Sequence, residues 1–189
     1  MDPVEFLSNC SVRSYTIDAS FPRFPGTVAD TQTKLQLSIS EYIVYNATPG
    51  TATLVITHAT SFNKKLWEPT IARILKTSKV EIKIQRILTL DAVNHGDSYL
   101  HNSKKLKNKW HWPDNSRDIL AALKYLKVQQ PVIGIGHSMG ASCICHAGMM
   151  DPSAFYAIVS IDPVLFQLFS VGDVMAAKAM KRCDRWENF

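Results

Sequence analysis

VIGIGHSMGAS, residues 132–142, reads as a short apolar strand that breaks sharply into a helix, with Ser138 at the break. Its centre, GHSMG (136–140), has the form G-x-S-x-G. The pentapeptide alone is a weak signal, but an apolar strand before it and a helix after it make it a strong one. A serine hydroxyl standing above the end of a sheet needs a tight strand-to-helix turn. Such a turn leaves no room for side chains at Gly136 and Gly140. A helix beginning at Met139 also aims its first amide at charge developing beside the serine. A serine used in this way needs a histidine base and an acid that orients the base.

The rest of the chain supplies the frame. TLVITH (53–58) is apolar and β-branched, as in a strand covered on both faces. LWEPTIARILK (66–76) places Ile71, Ile74 and Leu75 on one helical face. IKIQRILTLD (82–91) is the next strand. DNSRDILAALKYLK (114–127) is a helix capped by Asp114, with Ile119, Leu120, Leu123 and Leu126 as its apolar stripe. FYAIVSIDPV (155–164) is a further strand stopped by Pro163. Strands alternating with helices predict an α/β fold with a mostly parallel sheet and right-handed crossovers. Ligands bind such sheets at the carboxyl ends of the strands. The N-terminal part differs. SVRSYTI (11–17) alternates weakly like a strand, and the prolines of FPRFPG (21–26) exclude a helix there. KLQLSISEYIVY (34–45) sets Leu35, Leu37 and Ile39 against Lys34, Gln36 and Ser38, the period of a half-buried strand. There is no internal repeat and no low-complexity linker.

The 189 residues, 46% hydrophobic and 20% charged, fit one globular domain. The net charge of +5 comes largely from KKLKNK (104–109), read as a solvated loop. Its other use would be contact with an acidic ligand such as the phosphates of an acyl carrier. No nucleic-acid motif accompanies the run, so nucleic acid is not an expected partner. Cys10, Cys143, Cys145 and Cys183 match no zinc spacing and are expected as reduced thiols, with no metal or other cofactor. The N-terminus MDPVEFLSNC lacks the apolar core of a signal peptide, and no run reaches the roughly 18 apolar residues of a membrane span. The expectation is a soluble, intracellular protein.

Two loops support the serine. HATSFNKKLWE (58–68) follows the strand ending at His58, and DAVNHGDS (91–98) follows the next strand. Together with GHSMG they resemble the α/β-hydrolase superfamily. The resemblance implies that the backbone amides of Met139 and Thr60 form an oxyanion hole, with Ala59 where the family usually has glycine. Ser61 would add a hydroxyl donor; Thr60 and Ser61 also fit as caps of the helix that follows. DAVNHGDS falls in register with the family's D-x-x-G-H-G-x-S loop, with Asn94 in place of the first glycine. That loop is mainly structural in the family, so His95 is not read as catalytic. With WHWPD (110–114) and IDPV (161–164) added, the pattern resembles fungal peroxisomal serine hydrolases. These include hydrolases of host-selective toxin biosynthesis of the AK-toxin type. The resemblance covers about residues 10 to 165. It implies esterase- or thioesterase-like hydrolysis of a small acyl substrate, derived from a fatty acid or polyketide, in the peroxisome. The chain ends in Glu187, Asn188 and Phe189, which is not an S-K-L-type address, so that location rests on the resemblance.

The superfamily's chain order is serine, acid, histidine. Asp162, at the carboxyl end of the strand after the serine turn, is the candidate acid; it also fits as a cap of the turn before Pro163. No histidine fits as the base. His146 lies eight residues beyond Ser138 on one helix, about 12 Å along its axis. His137 is expected to point into the sheet, His58 and His95 fill loop-motif positions, and His101 and His111 lie in a loop on the catalytic side. The expectation is the N-terminal part of an α/β-hydrolase core over 1–165, with the first six strands, and the start of cap or lid helices over 166–189. The last strands, the C-terminal helix and the base are expected to be missing. The strand near 155–162 would then form a bare apolar edge. Two readings stand. One is a serine hydrolase with Ser138 as nucleophile. The other is a catalytically impaired remnant that at most binds acyl ligands or a partner chain. Epoxide hydrolysis would ask for a carboxylate where Ser138 stands.

Overall fold

A computed structural model of the chain describes residues 9–77 and 83–164. The expected cap helices at 166–189, with Cys183, lie outside the described residues. Six strands are described: β1 (Cys10–Asp18), β2 (Gln36–Val44), β3 (Ala52–Thr57), β4 (Ile84–Leu90), β5 (Val132–His137) and β6 (Ala157–Ile161). They form one sheet in the order β1-β2-β4-β3-β5-β6. β1 pairs with β2, and β2 with β4, antiparallel; the other three pairings are parallel. The helices are α1 (Glu68–Lys76), entered through a 3-10 turn at Lys64–Trp67, α2 (Gly96–Asn102), α3 (Trp112–Tyr125) and α4 (Met139–Met150). The α/β frame and the mostly parallel sheet expected from the strand–helix alternation are therefore present.

Both faces of the sheet are covered. Leu37, Ile39, Val55, Leu88, Ile119 and Ile144 belong to one buried cluster, to which α3 and α4 contribute. Tyr42, Leu54, Ile56, Ile71 and Ile87 form the other, with α1. All six residues of β3 are buried, as a run of apolar and β-branched side chains between two parallel neighbours requires. In the β3–β5 register Ile56 faces Ile135 and Thr57 faces Gly136. The two strands end level, so the loop after β3 and the turn after β5 emerge side by side.

Several expectations change. β2 is not half-buried: Leu37 through Tyr42 are all buried, because α2 covers its polar face. On that face Ser38 accepts from Lys64 Nζ (3.0 Å); Glu41, on the opposite face, accepts from Tyr15 Oη (2.6 Å) and Arg86. Asp114 is not the cap of α3. His111 holds that position, and Asp114 lies in the first turn, buried and paired with Arg23 and Arg117. Residues 96–102, read as loop, form α2; its seven residues begin at glycine and offer too little periodicity to show as a helix. KKLKNK is the solvated loop expected, with Lys104, Lys107 and Lys109 exposed, but it is not unattached. Its backbone is tied to residues 27–29 by Ala29 N–H to Lys105 O (3.0 Å) and Lys107 N–H to Thr27 O (3.0 Å). β6 is shorter than expected and lies at the end of the sheet with all five residues exposed. Cys10 and Cys143 are buried and Cys145 is partly exposed, and none of the three forms a disulfide.

Candidate functional site

The turn after β5 has the geometry that GHSMG demands. Ser138 stands between β5 and α4 at φ 51° and ψ −115°, a left-handed conformation that costs energy in any residue but glycine. Its amide donates to Ile161 O at 2.9 Å, so β6 supports the turn from outside. A Cβ on Gly136 would lie 2.4 Å from Ala141 Cα, inside the first turn of α4. A Cβ on Gly140 would lie 2.6 Å from His58 O and 2.7 Å from Thr57 Oγ1. Gly136 thus lets the helix start directly after the strand, and Gly140 lets that helix sit against the end of β3. Apart from Thr57 Oγ1 these are backbone contacts, which no rotamer change relieves.

Gly140 brings two loops together. One carries Met139, the first residue of α4, whose amide has no partner within the helix. The other is the 58–64 loop. There the amide of Ser61 donates to His95 Nε2 (3.1 Å), that of Phe62 to Ala59 O (3.2 Å) and that of Lys64 to Asp91 Oδ1 (2.7 Å). The Thr60 amide has no partner among the described residues. Two unpaired amides, at Thr60 and Met139, therefore flank the serine turn. Ser61 has its amide committed and sits at φ 69°.

Asp91 and the two loop histidines hold this arrangement. Asp91, 1% exposed, accepts from Lys64 N (2.7 Å), Lys64 Nζ (2.7 Å) and Asp97 N (2.9 Å). Lys64 is itself buried, and its ammonium also donates to Ser38 Oγ (3.0 Å) and Asp97 Oδ2 (2.5 Å). The Lys64 ammonium, by hydrogen bond and charge, holds the Asp97 carboxyl below the usual carboxylate range. His58 accepts from Ala92 N–H at Nε2 (3.1 Å), so Nδ1 carries the proton and donates to Ala59 O (2.8 Å). His95 accepts from Ser61 at Nε2, so its Nδ1–H donates to Asn94 Oδ1 (2.8 Å). Burial depresses the pKa of both. For His58 it outweighs the support of the Ala59 carbonyl and Asp91; for His95, with neighbouring His58 adding to it, it brings the value to about 3. Both rings are neutral and fully committed.

Two of the remaining histidines are engaged away from the serine. His146 faces buried Ser116 (3.2 Å), and burial followed by the nearby His111 lowers its pKa. His111 stacks on Phe24 with ring centres 4.0 Å apart. His101 is exposed near the end of α2. His137 departs from its expected direction: instead of pointing into the sheet, its ring lies 6.4 Å from that of Phe62 in the 58–64 loop. No histidine bonds to Ser138 among the described residues. Asp162 follows β6 at φ 46° and is exposed, one residue beyond the carbonyl that holds the Ser138 amide. Behind the turn, Thr57, Asp118, Met139, Gly140 and Cys143 help to line a cavity of about 20 Å³, room for about one water molecule and too little for an acyl chain.

Sequence reasoning had no access to the Lys64–Asp91–Asp97 cluster. Nothing in HATSFNKKLWE marks Lys64 as buried, and only the register of DAVNHGDS hinted that Asp91 was structural. No group of three or more metal-ligating side chains occurs among the described residues, and no described helix is long and apolar enough to cross a membrane.

No family model matches the chain. Peroxisomal membrane protein LPX1 of Saccharomyces cerevisiae is 30% identical over 171 residues, which are 83% of this chain and 43% of the relative. Type I acyl-CoA thioesterase mpaH of Penicillium brevicompactum is 27% identical over 147 residues, 75% of this chain and 34% of the relative. The solved structure of the peroxisomal α/β-hydrolase Lpx1 from Saccharomyces cerevisiae matches with a TM-score of 0.76 at 27% identity, over 84% of this chain and 46% of that one. The chain thus spans less than half the length of these relatives. Over that span, it has the α/β-hydrolase fold and is a homologue of the yeast peroxisomal hydrolase and the Penicillium acyl-CoA thioesterase.

Proposed function

We propose that this polypeptide belongs to a serine hydrolase that cleaves acyl esters or thioesters. The observation that carries the reading is Ser138 at positive φ, between two glycines that must lack a Cβ, directly at the N-terminus of α4. Ser138 Oγ attacks the acyl carbonyl carbon, and the carbonyl oxygen becomes an oxyanion held by the Met139 and Thr60 amides. Collapse expels the alcohol or thiol, which takes the serine proton by way of a base; water then hydrolyses the acyl-serine. Asp162 is the candidate acid for orienting that base. The base is not one of the six histidines placed here, none of which bonds to Ser138. It belongs to the part of such a hydrolase that this chain does not span. The reaction calls for no cofactor or metal.

The relatives, a peroxisomal hydrolase and an acyl-CoA thioesterase, support a small acyl substrate and a peroxisomal setting. The motif order 91–164 supports the narrower assignment to fungal secondary metabolism, with a polyketide- or fatty-acid-derived substrate of toxin biosynthesis. Treatment with a fluorophosphonate probe tests the chemistry. Covalent labelling that maps to Ser138 and disappears in Ser138→Ala supports it. Folded protein that takes no label favours the rival reading, a non-catalytic module, for which the supporting observation is that no histidine bonds to Ser138 among the described residues.

A further inference from the structure

Lys64 is the most unusual side chain in the described fold. A lysine is almost never fully buried unless paired, and this one is 2% exposed. An ammonium has three donors and no acceptor. Here the three reach Ser38 on β2, Asp91 at the end of β4 and Asp97 on α2. The same residue's backbone amide is bound by the other oxygen of Asp91. Gly96, where a Cβ would lie 2.4 Å from Asp91 Oδ2, leaves room for the carboxylate. One end of the 58–64 loop is thereby locked to three elements of the fold.

The middle of the loop is held separately. The Ser61 amide donates to His95 Nε2, and His95 is fixed in the accepting tautomer by Asn94. The beginning is held by His58, which accepts from Ala92. Thr60 lies between these tethers, carrying the amide that they leave unpaired. These hydrogen-bonded tethers run to residues 91–97 or to β2, while Phe62 stacks toward His137 of the serine turn with ring centres 6.4 Å apart. The loop is thus prearranged before any ligand arrives, the condition under which a donor stabilises developing charge without reorganising.

We propose that Lys64 and His95 are positioning residues, which fix the Thr60 amide opposite the N-terminus of α4 through Asp91 and Ser61. The catalytic consequence rests on the hydrolase reading above; the mechanical one does not. Lys64 acts through charge and three hydrogen bonds, His95 through a single neutral acceptor nitrogen.

Amide hydrogen exchange and fluorophosphonate labelling, measured on the same samples of the full chain, separate the two. His95→Leu removes the acceptor for Ser61. His95→Gln restores an acceptor oxygen. The double change Lys64→Met with Asp91→Asn removes the ion pair without leaving a buried charge alone, and serves if His95→Leu does not fold. In His95→Leu and the double variant, exchange over 59–64 is expected to rise about tenfold or more while β5 stays protected. The maximal labelling rate of Ser138 should fall about tenfold or more with probe affinity little changed. His95→Gln should recover both. Unchanged loop exchange in both variants overturns the proposal. Faster loop exchange with an unchanged labelling rate overturns the positioning role. If the unaltered protein takes no label, the hydrolase reading fails, and the exchange data alone decide whether Lys64 and His95 fix the loop.

Discussion

The amide of Ser138 donates to the carbonyl of Ile161 at 2.9 Å, which ties the serine turn to the last described strand. One end of this link, Ser138, has left-handed backbone at φ 51°, and so does Asp162, the residue after the other end, at φ 46°. Such conformations cost of order 1–3 kcal/mol in a non-glycine residue. Glycine removes that strain but has more chain entropy to lose, so the net gain is smaller. Ser138→Gly is therefore expected to stabilise the fold by about 1 kcal/mol while abolishing fluorophosphonate labelling. Thermal melting followed by circular dichroism checks it, with a rise of about 2–4 °C as the expected result. A melting temperature that falls would show that the serine turn is not strained.

Gly140→Ala should act on both stability and reactivity. The added methyl meets His58 O and Thr57, backbone and strand that cannot turn away. The helix must move off the end of β3, which separates the Met139 amide from the 58–64 loop. A loss of about 2–3 kcal/mol in chemical denaturation is expected. Slower labelling of Ser138 in the fraction that remains folded should accompany it. Gly50→Ala is the control for added bulk. Gly50 has φ 80° but nothing within 4 Å of its would-be Cβ, so only backbone strain should appear there.

Stability should fall as the medium is acidified below the ordinary histidine range. Burial lowers the pKa of His58, and lowers that of His95 to about 3, whereas both titrate near 6.5 in an unfolded chain. Below about pH 6.5 the unfolded chain binds protons that the folded chain refuses, so the unfolding free energy decreases as pH drops toward 3. Each such histidine adds about 1.4 kcal/mol per pH unit to the slope. Above about pH 7 the two contribute no slope, being neutral in both states. Urea unfolding at intervals between pH 7.5 and 4.5 measures this. His95→Gln should make the acid limb shallower by about one proton, and an unchanged slope would place His95 outside the titration.

The outer edge of β6 should favour self-association. Val159 and Ile161 are 48% and 43% exposed, and no strand pairs that edge among the described residues. Charged side chains are a common protection for such edges. Val159→Lys is expected to lower light scattering and shift the size-exclusion profile toward the monomer, with the unfolding midpoint little altered. Equal aggregation of the two proteins would mean that the edge is already covered.

The frame was open to reading from the sequence because period and punctuation report it. The β-branched run at 53–57, the stripe Ile119, Leu120, Leu123 and Leu126, and GHSMG between strand and helix each reflect a local constraint. Gly136 and Gly140 follow from crowding within one turn and against the neighbouring strand, and crowding selects glycine visibly. β2 misled because its polar residues alternate as though facing water, while α2 buries them.

Tertiary structure decided what binds to what. Nothing local marks Lys64, and only the approach of β2, β4 and α2 makes it a buried cation with three acceptors. Asp114 looked like a helix cap until the loop carrying Arg23 packed over it. The histidines show the same division. Their number and order already failed to supply a base after Ser138, but their hydrogen bonds depend on residues far apart in the chain. The sequence by itself determined the serine turn and the sheet it stands on, because those depend on neighbours a few residues away. The committed tautomers of His58 and His95 and the unpaired Thr60 amide came only from folding, because each depends on a partner brought in by sheet order.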